Sequence, residues 1–187
     1  MHSISLPPGE YGGPGIEDLF RNRLDFDAHP YYDRLRGLRV SAHFVIRRDG
    51  EVLQFVAADR RAWHAGASSW RGRGDCNGWS VGIELEGLEG ESFEPAQIAT
   101  LARLLRALRR RHPLREVVGH EHVAPGRKSD PGPGFDWRAL RRALRARDLW
   151  LIGERPARMR RAGRKAPRSE RWRGPRGAAR TLAGPTR

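Results

Sequence analysis

Between Gly119 and Trp137 the chain reads GHEHVAPGRKSDPGPGFDW, which brings together two histidines (His120, His122), a lysine (Lys128) and an aspartate (Asp130). Imidazole and carboxylate at this separation suit two ligands of one metal ion. Lys128 stands two residues before the carboxylate, where its ammonium would lie beside whatever the metal polarises. Pro125, Gly126, Pro131, Gly132, Pro133 and Gly134 punctuate the stretch and predict a shaped loop rather than a helix. The same residue types also occur in proline-rich loops that hold no metal. A third ligand and a general base must therefore be sought elsewhere in the chain.

The elements that could position such residues follow from the hydrophobic pattern. Glu116, Val117 and Val118 predict a short strand running into the loop. Val40–Arg47 and Glu51–Val56 flank Arg48-Asp49-Gly50, and Asp-Gly between β-branched and aromatic runs predicts a hairpin. His43, on its first strand, reads as a half-buried strand residue before it reads as a catalytic one. From Ser80 to Glu86, Val81, Ile83 and Leu85 share one face while Gly82, Glu84 and Glu86 share the other. A glutamate on a polar face is ordinarily solvated, so Glu84 gains a chemical role only where that face looks into the site. Ile98, Leu101, Leu104, Leu105 and Leu108 recur at helical steps and predict a helix over Glu94–His112. Trp137–Arg147 predicts a second amphipathic helix, and Gly15–Asn22 a short one. Arg61–Gly66, with Trp63 and His64, and Ser69–Asn77, with Arg71 and Arg73, read as loops. Strands alternating with helices, plus one antiparallel hairpin, predict an α/β fold: a mixed central sheet flanked by helices.

At 187 residues, 38% hydrophobic and with six Trp and six Phe, the chain suits one domain with its own core. No apolar run reaches the ~18 residues of a membrane span. The start, Met-His-Ser-Ile-Ser-Leu-Pro-Pro, has neither the basic nor the apolar region of a secretion signal. A single cysteine, Cys76, makes no internal disulfide, and a cytoplasmic location is expected. The net charge of +14 is uneven: residues 151–187 hold twelve Lys/Arg and two Glu, a balance of +10 that leaves +4 for residues 1–150. The expected organisation is a domain over 1–150 and a basic, disordered tail over 151–187, read equally as a solvated extension without function or as a segment that touches nucleic acid or anionic lipid without specificity. His2, beside the initiator methionine, reads on its own as a disordered terminal residue.

His2–Pro14, Leu38–His43, Ala62–Gly66, Gly82–Gly87 and Gly119–Trp137, in unbroken order, closely resemble the AmpD-type N-acetylmuramoyl-L-alanine amidases. These are zinc enzymes whose fold is shared with a phage lysozyme and the peptidoglycan recognition proteins. The resemblance implies Zn2+ held by His2, His120 and Asp130, with Glu84 as acid/base residue and Lys128 as electrostatic partner. The bond cut would be the amide between the lactyl group of anhydro-muramic acid and the L-alanine of a muropeptide. Arg39, Arg71 or Arg73 would hold peptide carboxylates, and Trp63 would stack on the sugar. The implied partner is this small substrate, bound by a monomer, with no specific nucleic acid and no membrane.

His122 departs from the family pattern, standing where Asp is usual, and Cys76 falls where the family has no ligand. Family members also carry an apolar strand ahead of the ligand histidine, and nothing here precedes His2 but Met1. The expectation is a sheet lacking its first strand, with no backbone ladder at His2 and an uncovered neighbouring edge; if Met1 is the true start, weak zinc affinity, low activity and poor stability are expected. A non-catalytic module that binds peptidoglycan fragments on the same fold is the alternative.

Overall fold

The computed structural model describes residues 1–144 and 149–152. In chain order its elements are β1 (His2–Ile4), α1 (Gly15–Phe20), β2 (Phe44–Ile46), β3 (Val52–Gln54), β4 (Ser69–Trp70), β5 (Arg73–Gly74), β6 (Ile83–Glu86), α2 (Pro95–Arg109), β7 (Glu116–Val117), α3 (His120–Val123), α4 (Trp137–Leu144) and β8 (Trp150–Leu151). The main sheet runs β1-β6-β2-β3, with β1, β6 and β2 parallel and β3 antiparallel to β2. The predicted hairpin is therefore β2–β3, and Gly50, at φ +92°, supplies the left-handed backbone its turn demands.

Each face of this sheet has its own apolar cover, as expected of a mixed sheet between helices. Phe44, Ile46, Ile83 and Leu85 pack with Leu101 and Leu105 of α2 and with Leu140 and Leu144 of α4. On the other face Val45 packs with Leu6, Ile16, Leu19, Phe20 and Tyr32. Burying each such aliphatic side chain stabilises the fold by ~1.5–3 kcal/mol. Gln97, in the first turn of α2, accepts the Glu94 N–H at 3.0 Å and donates to the carbonyls of Ile46 and Glu86 at 3.1 and 2.9 Å. One side chain thus starts the helix and locks it to the ends of β2 and β6.

Several boundaries differ from expectation. Ser69–Asn77, read as loop, contains the small β4–β5 hairpin and a 3-10 turn at Cys76–Gly78. β7 joins no strand of the main sheet but pairs in parallel with β8. β8 straddles the boundary expected between residues 150 and 151, whereas the rest of the expected tail lies outside the described residues, as does the expected end of α4 at Arg147. No helix among the described residues is long and apolar enough to cross a membrane.

The backbone ladder expected to be missing at His2 is present. β1 pairs in parallel with β6, His2 opposite Glu84. Met1 donates its N–H to the Val118 carbonyl and accepts the His120 N–H, both at 2.9 Å. Three residues suffice because the ladders come from β6 and from the stretch after β7, both far away in sequence, and because Met1 is buried in the α2-side core. Strand β6 therefore has β2 on one edge and β1 on the other.

Candidate metal centre

Register brings His2 and Glu84 side by side on one face of the sheet, with Val45 next in the row. His120 opens the single turn of α3, and Asp130 follows one loop later, its carbonyl accepting the Glu121 N–H at 2.9 Å. The stretch expected to be irregular thus holds one helical turn. His122 Nδ1 stabilises it by accepting the Gly119 N–H at 3.0 Å, which turns His122 towards its own backbone and not into the cluster.

Three ligand atoms converge. His2 Nδ1 lies 2.9 Å from His120 Nδ1 and 3.2 Å from an Asp130 oxygen. His120 Nδ1 is 3.1 Å from the same carboxylate. Bonds of ~2.0–2.1 Å from one tetrahedral ion place neighbouring ligand atoms ~3.3 Å apart. Two imidazole lone pairs at such close range repel each other unless a proton or a cation lies near both. The donor set, two nitrogens and one oxygen, could hold a single zinc-sized cation with a position left over.

The electrostatics suit that occupant. Burial, helped by the Met1 ammonium, lowers His2 to about 3, so at neutral pH it presents a lone pair. Burial alone would raise Asp130, yet hydrogen bonds with His120 and His2 outweigh it and hold the carboxyl well below the usual carboxylate range. Burial, reinforced by the Asp130 charge, pushes Glu84 well up, while the Met1 ammonium and Lys128 pull it back. A carboxyl raised in this way holds a proton more readily than a solvated one, which suits an acid/base role.

Glu86, two residues along the same face, is committed elsewhere. It takes Arg47 Nη1 at 2.7 Å and the Gly12 N–H at 2.8 Å, both away from the cluster.

The remaining candidates are dispersed. Lys128 is exposed, yet near enough for its charge to act on Glu84. Trp63 is 55% exposed, with the Arg61 guanidinium 4.2 Å from its ring centroid. Arg71 is held by Glu116 at 3.0 Å, and Arg73 lies over the Trp79 ring at 4.7 Å. Arg39 is exposed, two residues before the bridge that joins Ser41 to Trp63. A cavity of about 520 Å³, lined by Met1, Val81, Ile83, Leu105 and Val117 among others, reaches the three imidazoles of His2, His64 and His120. Glu84, Lys128 and Asp130 are outside its lining, so it flanks the cluster on the imidazole side.

Sequence reasoning passed over His64. Its Nδ1 lies 3.1 Å from Nε2 of His2. The legible mark was Gly82 within a strand pattern, a sign of close approach by another group.

Residues 16–133 match a family model described as N-acetylmuramoyl-L-alanine amidase. A 1,6-anhydro-N-acetylmuramyl-L-alanine amidase AmpD from Citrobacter freundii is 52% identical over 143 residues, covering 75% of this chain and 76% of the relative. A crystal structure of an AmpD selenomethionine derivative superimposes with a TM-score of 0.75 at 52% identity, over 76% of this chain and 81% of that one. The Escherichia coli amidase AmiD, solved with anhydro-N-acetylmuramic acid-L-Ala-D-γ-Glu-L-Lys, gives a TM-score of 0.54 at 35% identity, over 64% of this chain and 52% of that one.

Proposed function

This chain belongs to the N-acetylmuramoyl-L-alanine amidase family, and on that premise we propose that it is a zinc-dependent hydrolase of cell-wall recycling, acting on anhydro-muramyl peptides in the cytoplasm. The bond broken is the amide joining the lactyl carbonyl of the sugar to L-alanine. Water adds across it, giving a carboxylate on the sugar and a free amine on the peptide. The observation that carries this reading is the set of three ligand atoms within about 3.2 Å of one another beside a buried glutamate.

His2, His120 and Asp130 would hold the zinc. Bound there, it supplies Lewis-acid polarisation of the carbonyl and an acidified water. Glu84 accepts the water's proton and returns it to the departing nitrogen. Lys128 places its ammonium where the carbonyl oxygen gathers negative charge. Trp63 presents an exposed ring for the sugar, and Arg39, Arg71 and Arg73 are the cations available to the peptide carboxylates. The protein acts as a monomer on this small substrate.

The test is direct. Zinc-loaded protein incubated with anhydro-muramyl-L-alanyl peptide should release free peptide, a chelator should stop the release and added zinc should restore it. Tight muropeptide binding without cleavage, in protein carrying stoichiometric zinc, would turn the reading into that of a binding module.

A further inference from the structure

We propose that His64 is a positioning residue for the metal centre: its imidazole accepts a hydrogen bond from His2 and so fixes which nitrogen of His2 faces the ion. The inference rests on the metal-site reading above and extends it to residues that reading leaves unassigned.

The tautomers follow from the distances. Nδ1 of His2 is the atom that meets His120 and Asp130, at 2.9 and 3.2 Å. A metal-binding nitrogen carries no proton, so the proton of a neutral His2 sits on Nε2. That atom lies 3.1 Å from His64 Nδ1. His64 Nδ1 is then the acceptor, and its own proton falls on Nε2, a buried nitrogen with no partner among the described residues. Metal-binding imidazoles ordinarily donate their far N–H to a carboxylate, a carbonyl or water, and that bond sets the ring's orientation. Here a second, uncharged imidazole takes that place, which leaves the negative charge of the centre to Asp130.

The rest of the structure is arranged to hold His64 there. A Cβ on Gly82 would stand 2.3–2.6 Å from three atoms of the His64 ring, so the missing side chain is the space the ring occupies. The Gly82 N–H is in turn fixed by His43 Nδ1 at 3.0 Å. Buried Asn77 accepts the backbone N–H groups of both His64 and Ala65, at 2.9 and 2.7 Å. Ala65 completes the pattern, because its carbonyl lies 3.1 Å from Nε2 of His120. One dipeptide pinned by Asn77 therefore serves both imidazole ligands, His64 through its side chain and Ala65 through its backbone.

The experiment compares full-length wild type with His64→Leu and His64→Gln. Zinc affinity is measured by competition with a chromophoric chelator, alongside melting of the zinc-free protein. Leu fills the space but accepts nothing, and should weaken zinc binding 10- to 100-fold, about the loss typical of outer partners. Gln offers an amide oxygen and should recover most of that loss, the two zinc-free variants melting alike. Equal losses for Leu and Gln, or full affinity in His64→Leu, would overturn the proposal.

Gly82→Ala supplies an independent arm, should His64→Leu fail to fold. It should weaken zinc binding in the wild-type background by displacing the ring, and add nothing when combined with His64→Ala. Undiminished affinity in Gly82→Ala, or a loss that simply adds to that of His64→Ala, counts against the role. Wild-type protein that takes up no zinc at all would sink the metal-site reading itself, a result distinct from both.

Discussion

At the scale of single residues, two glutamates on one strand face show how surroundings assign roles. Glu86 is paired with Arg47, whereas Glu84 makes no such contact ion pair among the described residues and sits in the His2 row, its carboxyl raised by burial and by Asp130. Glu84→Gln keeps the shape and removes the proton exchange. It should lower kcat by ~10²–10⁴-fold while zinc content, read by atomic absorption, stays at wild type; unchanged turnover would remove Glu84 from the mechanism. His43 is a structural counterpart. Its Nδ1 accepts from Gly82 and its Nε2 donates to the Arg60 carbonyl at 2.9 Å, and burial lowers its pKa below the ordinary 6.5. The folded chain therefore resists protonation at His43, while the unfolded chain gains a proton as pH falls through about 6.5. Stability should fall from there down to the folded pKa, by up to about 1.4 kcal/mol per pH unit from this residue. Denaturant unfolding of His43→Gln between pH 7 and 5 should show a shallower slope than wild type, and an identical slope would contradict the assignment.

At the scale of elements, local signals were legible and long-range pairings were not. Helical spacing predicted α2, and its Leu101, Leu105 and Leu108 are buried. Asp49-Gly50 predicted the β2–β3 turn. Glu84 and Glu86 looked as though they could be solvated, because alternation tells the faces of a strand apart without saying that both are covered. The pairing of His2 with Glu84 links residues far apart, and no local pattern encodes it. The contact of His64 with His2 was hidden for the same reason. Met1 carries this logic one step further. It pairs with the backbone after β7, as His2 does with β6, and it lines the largely apolar cavity that Val81 and Val117 also line. Two or three apolar residues joined ahead of Met1 should continue β1 into that space and convert a buried ammonium into an amide. Each buried side chain is worth ~1.5–3 kcal/mol, and 1 kcal/mol moves the melting point of a chain this size by roughly 2–4 °C. The apolar extension should therefore melt several degrees above a Gly-Ser extension of equal length. Equal melting points would mean that the cavity does not receive a strand.

At the scale of the whole molecule, the step in charge does not coincide with a break in hydrogen bonding. Composition alone draws a line at residue 150, with +10 of the +14 beyond it. Hydrogen bonding crosses that line: the Trp150 N–H reaches the Arg115 carbonyl at 2.9 Å, the Ile152 N–H reaches Val117 at 3.1 Å, and Leu151 is buried between them. Two truncations separate these readings. A chain ending at Ile152 keeps β8 and loses only the basic segment, so its melting point and its rate of muropeptide cleavage should match the full chain within about twofold in rate. A chain ending at Leu149 loses both hydrogen bonds, ~1 kcal/mol each, and the burial of Leu151, ~1.5–3 kcal/mol. Its melting point should drop by roughly 10 °C. Retention on immobilised DNA should run the other way, present in the full chain at low salt, falling steeply with added salt and lost from both truncations alike. A chain ending at Ile152 that still binds DNA would move that affinity onto residues 1–152. Cleavage that fell in step with the lost charge would make the basic segment part of substrate capture.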